Sequence, residues 1–188
     1  GIWKVGFGDY ALMVDKEHNL EIEWIPFVQN INLFISGVID ATLAMSYNEI
    51  LQIRAAGYDI STAISIADEG YDFPEDGLYV SEDYFRNNPQ TVKAFADASR
   101  KGWEWAQEHP EETLEIVMEK THSNNIATNR THQKWMLEEV LKLNKDTEIG
   151  TATYTLKSDQ VRRLSDLLVK HGMISKPVTY ETITGQTL

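Results

Sequence analysis

Hydrophobic and polar positions change their period once along this chain of 188 residues. In the first part, short apolar runs alternate with helical patterns. Trp3 to Phe7 reads as a strand ending in glycines, and Asp9 to Lys16 as a short helix capped by Asp9. Glu21 to Phe27 alternates polar and apolar residues, the pattern of a half-buried strand. Between Asn30 and Ser36, Ile31, Phe34 and Ile35 share one helical face, and Gly37 ends that helix. Ala41 to Met45 predicts a buried strand, Asn48 to Ala56 a helix closed by Gly57, and Thr62 to Ala67 another strand. Gly77 to Ser81 predicts one more. Strands alternating with helices predict an α/β fold, a βαβ lobe with a mainly parallel sheet.

From Asn88 onward the period is helical. Asn88-Pro89 is a helix start, an N-cap followed by proline at the first helical position. Val92, Phe95, Ala96, Ser99, Trp103 and Ala106 follow the 3/4 spacing of a buried face. His109-Pro110-Glu111-Glu112 opens a second helix with acids in its first turn, where the dipole favours them. Leu114, Val117 and Met118 carry it. Thr121 to Asn129 reads as a polar loop and Thr131 to Leu143 as a helix. Ser158 caps a last helix that Gly172 stops, and the tail from Ser175 reads as extended. The pattern therefore divides into an α/β lobe over residues 1–76 and a mainly helical portion over residues 77–188 with little sheet to cover.

Charge narrows the partners. The formal net charge is -12, from 29 acidic and 17 basic residues. Phosphate backbones and anionic membrane surfaces are bound by Lys/Arg surfaces, so nucleic acid and anionic lipid are both disfavoured. There is no cysteine, which removes disulfides, thiolate catalysis and Cys-zinc sites together. No apolar run approaches the ~18 residues of a membrane span. Gly1-Ile2-Trp3-Lys4-Val5 reads as a strand rather than a secretory leader, which assigns no compartment.

Three segments carry candidate chemistry. Gly6-Phe7-Gly8-Asp9 lies between a strand and a helix, where backbone N–H groups approach ligands. It lacks the third glycine of a dinucleotide fingerprint and the Lys-Ser/Thr of a P-loop, so a plain turn competes with an anion cradle. Tyr47-Asn48-Glu49 offers a stacking ring, a mixed donor and acceptor, and a carboxylate, a set suited to an aminopyrimidine edge. The same residues serve equally as a helix cap and an acidic first turn. Asp68, Tyr71, Glu75 and Asp76 occupy a turn-rich connector that also reads as a solvated acidic loop. The five histidines are scattered, without metal-ligand spacing, and read as structural or surface residues. No catalytic triad order appears, and Asn129-Arg130-Thr131 matches the glycosylation acceptor pattern.

Gly37-Val38-Ile39-Asp40-Ala41, Ala44-Met45-Ser46-Tyr47-Asn48-Glu49 and Phe73-Pro74-Glu75-Asp76-Gly77-Leu78-Tyr79-Val80 carry a further signal. With Asn88-Pro89, Lys101-Gly102-Trp103-Glu104-Trp105-Ala106 and His109-Pro110-Glu111-Glu112, their order and spacing across residues 1–120 resemble the NMT1/THI5-like family. The likeness is to its thiamine pyrimidine-precursor branch, among the periplasmic substrate-binding proteins of ABC transporters. That resemblance implies a type II periplasmic-binding-protein-like fold, with residues 1–76 as the second lobe and the rest closing an incomplete first lobe. It implies that the family's opening first-lobe segment has no counterpart here, which admits homo-oligomerisation. It implies a non-enzymatic binder of a small-molecule ligand, without cofactor or metal, working with an ABC transporter permease and anchored in a periplasmic or extracellular location. The ligand-binding residues it implies are Phe7, Gly8, Asp9, Tyr47 and Glu49, with Asn48 beside them, and Asp68 and Tyr71. Two alternatives remain. One is a pyrimidine-synthesising enzyme, opposed by the missing cysteine and the scattered histidines. The other is a truncated fragment that does not bind and only oligomerises.

Overall fold

A computed structural model describes residues 1–3, 6–26, 31–74, 76–144 and 154–185. It divides into two compact units, Gly1–Tyr71 with His109–Leu143 and Asp72–Glu108 with Asn144–Leu188. Helix accounts for 60% of the structure and strand for 1%, and no sheet forms among the described residues. The α/β βαβ lobe expected from the alternation, and with it the type II periplasmic-binding-protein-like fold that the resemblance implies, is thereby overturned.

In the first unit, helix α1 (Asp9–His18) buries Ala11 and Met13 and ends at Asn19, in the left-handed region at φ 51°. Its Asp15 carboxylate accepts from the Trp24 indole Nε1–H at 2.7 Å and from the Ile22 N–H at 3.4 Å. These bonds fold the following segment back on the helix. Glu21 in that segment has φ 56°, outside the β region. The expected strands at Trp3–Phe7 and Glu21–Phe27 thus reduce to an isolated parallel bridge between Ile2 and Pro26. Lys4, Val5 and Phe27 lie outside the described residues. The expected strand Ala41–Met45 contributes two bonds, both to Gly1: the Gly1 amine donates to the Ala41 carbonyl at 2.7 Å, and the Leu43 N–H to the Gly1 carbonyl at 3.0 Å. Isolated bonds at one residue do not make a ladder, and an unladdered pair is unstable by itself.

Helix α2 (Asn32–Ile35) and helix α3 (Glu49–Ala55) flank a small core of Ile31 and Ile53. Trp3, Phe34, Ile35, Ala44 and Ile60 pack against it. The Tyr58 hydroxyl donates to the Ile35 carbonyl at 2.8 Å, and its ring tilts against Phe34. The expected strand Thr62–Ala67 is displaced by a 3-10 turn over Ile60–Thr62 and a π turn over Ala67–Tyr71, with Ile64 78% exposed between them. A segment that buries nothing has no apolar face to hold a sheet.

Two predicted helices of the same unit form: α6 (Pro110–Ser123), led by proline and burying Leu114, and α7 (Arg130–Leu143). The two pack together. Lys134 pairs with Glu111 at 2.6 Å and Arg130 with Glu115 at 2.6 Å, so the first turn of α7 lies beside that of α6. Lys134 holds the Glu111 carboxyl below its ordinary value, and Glu111 raises Lys134 in return.

The second unit carries α4 (Glu82–Asn87), α5 (Pro89–Glu108), α8 (Ser158–Lys170) and α9 (Tyr180–Thr184). The expected strand Gly77–Ser81 pairs with no other segment among the described residues, with Tyr79 83% exposed, and Ser81 instead caps α4. Of the predicted buried face of α5, Ala106 is buried and Phe95 is exposed. Ser158 is the first helical residue of α8, after the cap position held by Lys157. The tail is not wholly extended. The Val178 N–H donates to the buried Ser165 Oγ at 2.7 Å, and α9 follows with Thr179 capping it through the Thr182 N–H.

Candidate binding site

The entry to α3 gathers the polar side chains. Asn48 holds the N-cap position, yet its side chain makes no cap bond. Glu49, the first helical residue, instead ties down the turn that precedes the helix. Its Oε2 accepts from the Met45 N–H at 2.9 Å, and its Oε1 from the Asn48 Nδ2–H at 2.9 Å. Asn48 Oδ1 accepts from Gln52 Nε2 at 3.0 Å and lies 2.8 Å from His132 Nε2. His132 arrives from α7, where Asn129 fixes the first turn by accepting the His132 N–H on Oδ1 at 2.9 Å.

This arrangement has a clear chemical capacity. A carboxylate oxygen has two lone-pair directions, and each Glu49 oxygen uses one within the turn. The remaining directions accept N–H donors. Tyr47 precedes them in the same turn, and Tyr47, Asn48 and Glu49 are all half-buried. No cluster of three or more His, Asp or Glu with the geometry of a metal site occurs among the described residues.

Phe7, Gly8 and Asp9 lead into α1. A Cβ on Gly8 would meet the Trp3 carbonyl oxygen at 2.4 Å and Ile2 Cγ1 at 2.7 Å, so the close backbone approach there is to the chain itself. The Asp9 N–H donates to the Gly6 carbonyl at 3.0 Å, and its carboxylate sits in the first turn of α1. A carboxylate at the positive end of the helix dipole opposes a second anion. Phe7 is exposed and meets Trp3 edge-on at 6.2 Å. Trp3 packs on the core beneath α3.

Asp68 and Tyr71 lie on the π turn. Asp68 is exposed, and its N–H donates to Ser65 Oγ at 3.3 Å. Tyr71 is buried against α1. Its hydroxyl donates to Glu17 Oε2 at 2.8 Å, and its ring tilts against Tyr10 at 6.1 Å. Burial first, then the Glu17 bond and charge and the Glu69 charge, push its phenol up to about 12. The structure thus joins Asn48 and Glu49 directly and places Tyr71 in the packing of α1. Glu75 lies outside the described residues.

Gln52 and His132 are the members that sequence reasoning missed. Gln52 was legible as the i+4 neighbour of Asn48 on a predicted helix. His132 had no local signal, being 84 residues from Asn48. In the second unit, a groove of about 490 Å³ between α8 and α9 is lined by Asp159, Arg162, Asp166 and Glu181, among others.

The NMT1/THI5-like family model matches residues 7–113, which include every sequence-predicted site residue and stop short of His132. No curated protein and no solved structure matches the chain. The family includes periplasmic binding proteins of ABC transporters and THI5 enzymes. With more than half of its length matched, the chain belongs to the NMT1/THI5-like family.

Proposed function

We propose that this chain is a solute-binding component of an ABC importer, taking a thiamine pyrimidine precursor or a related small heterocycle and handing it to a membrane permease. The observation that carries this reading is the Glu49 carboxylate, held by Met45 and Asn48 with acceptor capacity remaining on both oxygens. An aminopyrimidine presents N–H donors beside ring nitrogens, and the carboxylate–amide pair of Glu49 and Asn48 complements that edge. Tyr47 supplies aromatic surface beside them in the chain, and the exposed Phe7 meets Trp3, which packs on the core flanked by α3. The role is binding without catalysis, in a periplasmic or extracellular setting.

Isothermal titration with hydroxymethyl-aminopyrimidine and its formylamino relative tests this. Saturable binding at micromolar concentration or tighter is expected. Glu49→Ala is expected to weaken it by about 2 kcal/mol, the worth of a charge-assisted hydrogen bond. Absence of heat from the folded wild-type chain would overturn the ligand assignment. A second reading, self-association through the second unit, is favoured by Tyr79, Phe95, Trp103 and Trp105, all exposed large aromatics. A monomeric mass by sedimentation across a wide concentration range would remove it.

A further inference from the structure

We propose that His132 is a positioning residue for the Asn48–Glu49 site, donating from Nε2 through the Asn48 amide to orient the Glu49 carboxylate. The inference rests on the site described above and adds to it a residue beyond the family match. The Glu49 carboxylate fixes the polarity of its partners. An ionised carboxylate only accepts, so the Asn48 atom at 2.9 Å from Glu49 Oε1 must be Nδ2, a donor. The other Asn48 terminal atom is then Oδ1, an acceptor. It takes Gln52 Nε2–H at 3.0 Å, and His132 Nε2 at 2.8 Å must likewise donate to it. Neutral His132 therefore carries its proton on Nε2. The chain of donors runs from His132 through Asn48 to Glu49, while the Met45 N–H meets the other carboxylate oxygen at 2.9 Å.

The placement of His132 is itself built. Its backbone N–H is held by Asn129 Oδ1 at 2.9 Å, and Gln133 Nε2 donates to Thr128 Oγ1 at 3.0 Å. The neighbouring Arg130 and Lys134 are tied to Glu115 and Glu111 on α6. The ring thus reaches Asn48 from a turn whose backbone and flanking side chains are already fixed.

The polarity is reversible by one substitution. Glu49→Gln has a single side-chain oxygen, and the Met45 N–H can only donate to it. The new NH2 then faces Asn48, which must turn its oxygen toward position 49 and its amide nitrogen toward His132 and Gln52, and the Gln52 amide turns in step to accept through its oxygen. Neutral His132 must then accept at Nε2 and carry its proton on Nδ1. Long-range ¹H–¹⁵N correlation spectra of the imidazole at mildly alkaline pH report the tautomer. The Nε2–H form in wild type and the Nδ1–H form in E49Q are expected. The Nδ1–H form in wild type, or the same tautomer in both, would overturn the proposal. The binding arm uses hydroxymethyl-aminopyrimidine as the probe. His132→Leu is expected to weaken it about tenfold, and His132→Gln, which keeps a donor at the same reach, to restore it. Equal affinity in wild type and H132L would also overturn the positioning role. If wild type does not bind the probe, the ligand assignment fails, and the tautomer pair still decides the role of His132.

Discussion

At the residue scale, two positions connect a local constraint to a measurable effect. Gly8 cannot take a side chain, because a Cβ would stand 2.4 Å from the Trp3 carbonyl oxygen, a backbone atom with little room to retreat. Gly8→Ala is expected to lower the urea-unfolding free energy by about 1–3 kcal/mol, the cost of overpacking. Wild-type stability in that variant would mean that the Trp3 turn relaxes at no cost. Tyr71 sets an alkaline limit. Its folded-state phenol titrates at about 12 against 10.0 ordinarily, so above pH 10 the unfolded chain holds fewer protons than the folded one. Stability therefore falls as pH rises from 10 towards 12, and Tyr71→Phe is expected to remove that part of the fall. Parallel pH–stability curves for the two proteins would assign the loss elsewhere. Both residues were singled out from sequence as ligand-binding candidates. Their packing against Trp3 and Glu17 depends on partners that local pattern does not name.

At the element scale, helix starts were legible and strands were not. Pro89 and Pro110 open helices because proline at the first helical position lacks only an N–H that the helix leaves unpaired. The strand predictions rested on apolar alternation, which reports burial on one face and not whether a neighbouring strand pairs. At Glu21 a positive φ interrupts the run, and at Thr62–Ala67 two tight turns replace it. The cap of α7 is a further case. Asn129 matched a glycosylation triplet, but here its Oδ1 accepts the His132 N–H. Asn129→Ala is expected to lower stability by about 1 kcal/mol, the typical worth of an N-cap, seen as a reduced thermal midpoint. It is also expected to broaden the His132 imidazole signals, since that turn carries the ring. An unchanged midpoint would show that water replaces the cap fully.

At the scale of the whole molecule, burial is concentrated in a few places. Met13 on α1 and Leu114 on α6 are each 1% exposed, whereas α4 and α9 bury no residue. Hydrogen exchange follows local opening, so the amides around Met13 and Leu114 are expected to exchange slowest and those of α4 and α9 fastest. Uniform protection along the chain would contradict this distribution. The sequence by itself determined the net charge of -12, the absence of thiol chemistry, the proline-led helices and the family, because each is written in residue type and short-range order. It also named Asn48 and Glu49. Only the tertiary structure decided that no sheet forms among the described residues, since pairing depends on what lies beside an extended segment. It alone brought His132 to Asn48 across 84 residues, because that contact depends on where the packing of α7 on α6 delivers the ring.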